Sequence, residues 1–143
     1  MIRRGLAAAG LLTGAWVHLD LYRHGYRYIP TIGRLFLVNV IASTIVAVVV
    51  VLRLHWTTRI AAIGVAVSTL GAFGASRLPG GIFHFQERGW QPAPQTVEAL
   101  VAELLVITAM VSGGRRALRS RRPRRQTTLA PASLSAHPQV PRP

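Results

Sequence analysis

Five polar or ionisable side chains sit inside or at the margins of long apolar stretches: His18, Asp20, Asn39, Glu98 and Glu103. Ionisable groups at such depth are functional candidates by default, because each is costly to bury without a partner. Glu98 follows the Pro92 and Pro94 pair that prepares a helix start, where the helix macrodipole favours an anion. It reads as structural. Glu103 lies five residues further in, about 7 Å deeper and about 140° around the helix, so the two acids do not form a close carboxylate pair.

The energies identify Glu103 as the strained group. A central acid costs roughly 2.5–3.5 kcal/mol on the insertion scale, against about 0.3–0.6 kcal/mol returned by each large apolar residue. Its stretch is therefore marginal alone, and Glu103 is expected to face other helices, either protonated or paired. His18 and Asn39, at similar depth, are its expected neighbours. The three form an expected intramembrane polar cluster, with two readings: a clasp that fixes which helices pack together, or a proton relay and ligand site. Asp20, on nearly the opposite face from His18, is expected to pair with Arg23 or Arg27.

A metal site from His18, His24, His84, Glu87 and Glu103 has suitable ligand types, but no paired-histidine spacing such as HxxxH supports it. No metal and no cofactor is expected. His84 and Glu87 remain loop candidates. With no cysteine in the chain, thiolate chemistry and disulfides are excluded.

The elements that position these groups follow from hydropathy. Four apolar stretches, roughly 5–22, 35–52, 60–76 and 97–113, approach the length that crosses a bilayer, about 17–25 helical residues. The second and third carry no charge and no polar face, as expected of core or membrane helices. A 143-residue chain is too short to hide two such helices in a soluble core. Only helices satisfy their own backbone at this length in lipid. The expected fold is all-α: a four-helix transmembrane bundle over residues 1–114, followed by a basic juxtamembrane segment and disordered tail over 115–143. The Arg3–Arg4 start followed by an apolar run also resembles a signal peptide. Continued hydrophobicity to Leu21 and three further spans favour an uncleaved helix.

All 17 basic residues are arginine, against four acids, which reads as a GC-rich genome bias. Seven of them, Arg115, Arg116, Arg119, Arg121, Arg122, Arg124 and Arg125, follow the last span and suit anionic lipid headgroups at the cytoplasmic face. With Arg3, Arg4, Arg53 and Arg59 they make eleven on one side, against Arg23, Arg27, Arg34, Arg77 and Arg88 on the other. This distribution places both termini in the cytoplasm. Nucleic acid is not an expected partner, since no aromatic residue is interleaved to stack bases. Gln126–Pro143 has the composition of a disordered tail.

Between the spans, Arg23–Gly33 is rich in arginine and tyrosine, the latter suited to the headgroup interface. Arg77–Pro94 carries Ile82, Phe83, Phe85 and Trp90, too apolar for a free loop, and is expected to lie on the membrane surface or fold back onto the bundle. Small residues in the first stretch (Gly5, Ala9, Gly10, Gly14) and the third (Gly64, Ser68, Gly71, Ala72, Gly74, Ala75) allow close helix approach. Packing within the bundle is the favoured use, with a homo-oligomer face as the alternative.

The segments HLDLYRHGYRYIPTIGRLFLVN (residues 18–39), GGIFHFQE (80–87) and EALVAEL (98–104) together resemble small four-span integral membrane proteins of actinobacteria. The resemblance spans Gly5 to Gly113 and supplies no activity. His84 departs from it, standing where a small residue is expected. The expected role is a non-enzymatic accessory or scaffold component of the cell membrane, partnered by lipid, by copies of itself or by other membrane proteins. The alternative is a small proton-coupled carrier or permeation unit in which Glu103 titrates and His18 relays.

Overall fold

The computed structural model describes residues 1–120, with side chains through Ser112. The expected disordered tail and Arg121, Arg122, Arg124 and Arg125 lie outside the described residues, as do the side chains of Arg115, Arg116 and Arg119. Four α-helices follow one another: α1 (Ile2–Arg23), α2 (Pro30–Leu52), α3 (Trp56–Ala75) and α4 (Gln95–Ser120), with a 3-10 turn at Tyr26–Tyr28. Among the described residues there is no strand beyond one isolated bridge, Ile82 to Phe85.

Local chemistry sets these boundaries. Gly25 takes φ +140° after α1, a conformation that ends a right-handed helix and favours glycine. Pro30 opens α2 in its first turn, where its missing N–H costs nothing. Arg53 turns to extended backbone after α2, and three residues later α3 begins, so α2 and α3 form a tight hairpin.

Three helices combine the length and apolarity to cross a membrane: Pro30–Leu52 with mean hydropathy 2.8, Trp56–Ala75 with 1.4 and Gln95–Ser112 with 1.5. Helix α1 matches them in length at 22 residues but not in apolarity, because glycines, His18 and Asp20 dilute it. It is nevertheless well covered, packing broadly against both α2 and α4, while α3 closes the ring against the same two helices. Ile41, Ile45, Val48 and Val51 of α2 are exposed, and apolar side chains facing outward in this number suit a lipid solvent.

The bundle has a packed half and a hollow half. Ala7, Ala8 and Leu11, Ala47 and Val50, Ala62 and Ala66, and Val106, Ala109 and Met110 form one buried cluster. These are the start of α1, the end of α2, the start of α3 and the later part of α4, so they meet at one end. Gly10 is the tightest point there. A Cβ at Gly10 would lie 2.8 Å from the Ala102 carbonyl oxygen and 2.8 Å from Val106 Cγ2. The α1–α4 seam thus requires a residue without a side chain, the close approach that small residues permit in lipid.

Two of the packing expectations separate here. On α1, Gly10 and Gly14 serve the bundle, whereas Gly5 has no neighbour within 4 Å of a notional Cβ and Ala9 is exposed. On α3, Gly64, Gly71 and Gly74 have no such neighbour, and Ser68 and Ala72 are exposed. Alanine substitution distinguishes the two sets. Gly10→Ala forces a backbone shift and lowers thermal stability in detergent, whereas Gly64→Ala is neutral or gains up to about 1 kcal/mol from helix propensity.

Candidate functional site

The hollow half contains a cavity of about 280 Å³ at the end of the bundle that carries the Ser76–Pro94 connection. All four helices line it. Helix α1 contributes Val17, His18 and Leu21; α2 contributes Phe36 and Asn39; α3 contributes Thr69 and Phe73; α4 contributes Gln95, Ala99 and Glu103. The expected cluster of His18, Asn39 and Glu103 is therefore gathered around one space.

The three do not bond to one another directly. His18 Nδ1 donates to the Gly14 carbonyl of its own helix at 2.8 Å, and its ring meets Phe36 edge-on at 5.0 Å. Asn39 Nδ2 donates to Thr69 Oγ1 at 2.7 Å, and Ser43 Oγ donates to Asn39 Oδ1 at 3.1 Å. The interhelical clasp joins α2 to α3 through Asn39 and Thr69. Thr69 in turn has one hydroxyl proton, with the Val65 carbonyl at 3.1 Å and the Glu103 carboxyl both in reach. Thr69 was the missing link in the sequence, visible only as one of two adjacent hydroxyl residues within an uncharged stretch.

Glu103 is 2% exposed and lies against α1, where a Cβ on Gly14 would stand 3.1 Å from its Oε1. Gly14 therefore serves both groups, accepting from His18 and leaving room for the carboxyl. Glu103 Oε2 is buried without a hydrogen-bond partner, and so is Gln95 Oε1. Buried polar atoms are almost always satisfied, and an orphan needs a reason.

The connection above the cavity folds back onto the bundle and is fixed by Arg77. Its guanidinium pairs with Glu87 at 3.0 Å, donates to the Gly89 and Gln91 carbonyls at 3.3 and 2.8 Å, and caps α3 at the Phe73 carbonyl at 3.1 Å. It also covers the Phe73 ring, 3.4 Å from its centroid, a cation–π arrangement. The Glu87 N–H bonds to the Ser76 carbonyl at 3.0 Å. From the other side, the Tyr26 hydroxyl donates to Glu87 Oε1, and its ring stacks on Phe36 at 4.9 Å and meets Phe85 at 5.7 Å. Tyr26 and Arg77, read in the sequence as an interface aromatic and a flanking charge, thus hold a roof over the cavity. Nothing in one-dimensional spacing links them to Glu87.

His84 stands apart. It is exposed with φ +63° at the tip of a tight turn, beside Phe83 at φ +51°. Reciprocal Ile82–Phe85 bonds of 2.9 and 2.8 Å close this turn, which has the sign pattern of a type I′ hairpin. Asp20 departs from expectation by pairing with His24, 3.1 Å away and one turn on, rather than with Arg23 or Arg27. The i,i+4 spacing places His24 directly over Asp20 on the same face. No group of three His, Asp or Glu side chains converges among the described residues.

The roof has a titratable signature. Burial first, then the hydrogen bond to Glu87 and its charge, push the Tyr26 phenol above its ordinary value of about 10, while the Arg77 charge works the other way. A raised folded-state value means that the anchoring is fully present below the unfolded value and is lost only as pH rises through the raised one. Comparison of the chain with family models, curated proteins and solved structures returns no match. Ultraviolet titration of the three tyrosines is expected to show one late-ionising phenol. Tyr26→Phe removes that late phase, and Glu87→Gln moves it earlier without restoring the ordinary value.

Proposed function

We propose that the chain is a non-enzymatic, four-span protein of the cell membrane that works as a small proton-coupled carrier or permeation unit, with Glu103 as its working group. One observation carries this reading. Glu103 is 2% exposed beside a cavity of about 280 Å³ and keeps one carboxyl oxygen without a partner. A residue retained purely as a clasp would use both oxygens, because each unmet buried acceptor costs about 1–3 kcal/mol. His18 lines the same cavity and bonds to Gly14, beside which Glu103 lies; in this reading it passes protons to and from the carboxyl.

In this reading α1 is the fourth span. It makes broad interfaces with both α2 and α4, so it needs less apolar surface than the outward-facing helices. The arginine distribution supports cytoplasmic termini, which puts the cavity and its roof on the outer side. The resemblance to small actinobacterial membrane proteins fits this four-span reading.

A second reading, an accessory or scaffold component, rests on α3. Its outward small residues Gly64, Gly71 and Gly74 are unused inside the bundle and suit close contact with another membrane helix.

Proteoliposomes separate the two. With a pH gradient imposed and a panel of small solutes supplied, wild-type protein is expected to dissipate the gradient faster than Glu103→Gln protein incorporated to the same level. Equal rates under every condition, with the variant altered only in expression or assembly, would contradict carriage and favour the scaffold.

A further inference from the structure

The cavity is not closed on all sides, and the exposure of its lining shows where it opens. Its residues on α1 and α4 are buried or half-buried. On α2, by contrast, Leu35 and Val38 line the cavity yet are 41% and 60% exposed. On α3, Ser68 and Ala72 line it and are also exposed. The opening therefore lies between α2 and α3, on the lateral surface of the bundle. The roof seals the end, with Arg77, Glu87 and Tyr26 committed to one another.

The lining also constrains what enters. Most of it is aliphatic or aromatic. The cation of the lining, Arg77, is consumed by Glu87 and by loop carbonyls. The Asn39 amide is consumed by Thr69 and Ser43. Among the described residues, two buried side-chain atoms lack partners, Glu103 Oε2 and Gln95 Oε1, and both are acceptors. They lie eight residues apart on α4, about 12 Å along the helix axis, with Gln95 nearer the roof. An apolar chamber with unmet acceptors and one uncompensated carboxyl lacks a donor, preferably a cationic one.

We infer that this cavity binds an apolar organic amine that enters from the bilayer between α2 and α3 and places its ammonium group on Glu103. The inference rests on the carrier reading in taking Glu103 as the working group, and it adds the ligand class and the route. The apolar body fills the space between Phe36, Phe73 and Leu100. The ammonium supplies N–H donors to the orphan carboxyl oxygen, and Gln95 offers a further acceptor toward the roof. No bond is made or broken beyond hydrogen bonds and the ion pair. An alcohol of the same shape would fill the space and satisfy an acceptor without neutralising the charge. A carboxylate would meet repulsion from Glu103 and an Arg77 already engaged.

Equilibrium binding to the full-length protein in nanodiscs tests this with three fluorescent probes of matched shape: naphthylmethylamine, naphthylmethanol and naphthylacetic acid. After subtraction of partitioning into protein-free nanodiscs, the amine is expected to bind roughly tenfold tighter than the alcohol, the difference between charge-assisted and neutral hydrogen bonds. Glu103→Gln removes that preference while retaining alcohol binding, and Glu103→Asp keeps part of it. Val38→Trp, on the side opening, slows amine association, whereas Thr108→Trp, exposed on α4 outside the cavity lining, does not. Equal amine and alcohol affinity in the wild type, or an amine preference that survives Glu103→Gln, overturns the ligand class. An association rate untouched by Val38→Trp overturns the route. Glu103-dependent proton movement without amine preference leaves the carrier reading standing and ends this one; amine preference without proton movement does the reverse.

Discussion

The approach of α1 to α4 at Gly10 and Gly14 is the constraint on which the rest depends. At Gly10 the two backbones come so close that a side chain would strike the Ala102 carbonyl. One turn later, the space left at Gly14 is where Glu103 lies. Dispersion and close packing hold this seam, because lipid tails compete with apolar side chains and remove the hydrophobic drive between helices. Beyond it, the helices no longer close on the axis, and a packed half gives way to a chamber. Glu103 sits at that boundary, buried by the seam below and open to the space above.

Two further devices keep the chamber intact. Asn39 and Thr69 tie α2 to α3 across it, with a direct interhelical bond of the kind worth about 0.6 kcal/mol in membrane proteins. Arg77 organises the long connection from one side and Tyr26 from the other, both through Glu87. The chamber thus has a polar floor, an aromatic and ionic roof, and apolar walls. Gly64, Gly71 and Gly74 of α3 take no part in this and face outward.

Much of this was legible in the sequence, and what was not has a physical reason. Helix existence followed from apolar length, and the structure gives helices over all four predicted stretches. The gathering of His18, Asn39 and Glu103 followed from depth, since antiparallel helices bring residues at equal depth to one level. Depth does not specify rotation, however, so it does not identify the partner of Asn39, which is Thr69, within an uncharged stretch. Charge alone pairs Asp20 with an arginine, whereas helical geometry favours His24 one turn away. The roof depends on Arg77 meeting Glu87 across a ten-residue excursion and Tyr26 meeting it from another loop, and periodicity carries no information about such contacts. The outward face of α3 was equally hidden, because small residues mark close approach without naming the neighbour.

In the proposed reading, Glu103 is kept in its place at a cost to stability, for what it can bind. Thermal unfolding of Glu103→Met in detergent tests this most directly, since methionine has similar length and fills the site without an orphan acceptor. Stability equal to wild type or higher is expected, by up to the roughly 1–3 kcal/mol that an unmet buried acceptor costs. A clear fall in stability would contradict it, making the carboxyl a structural tie rather than a binding group.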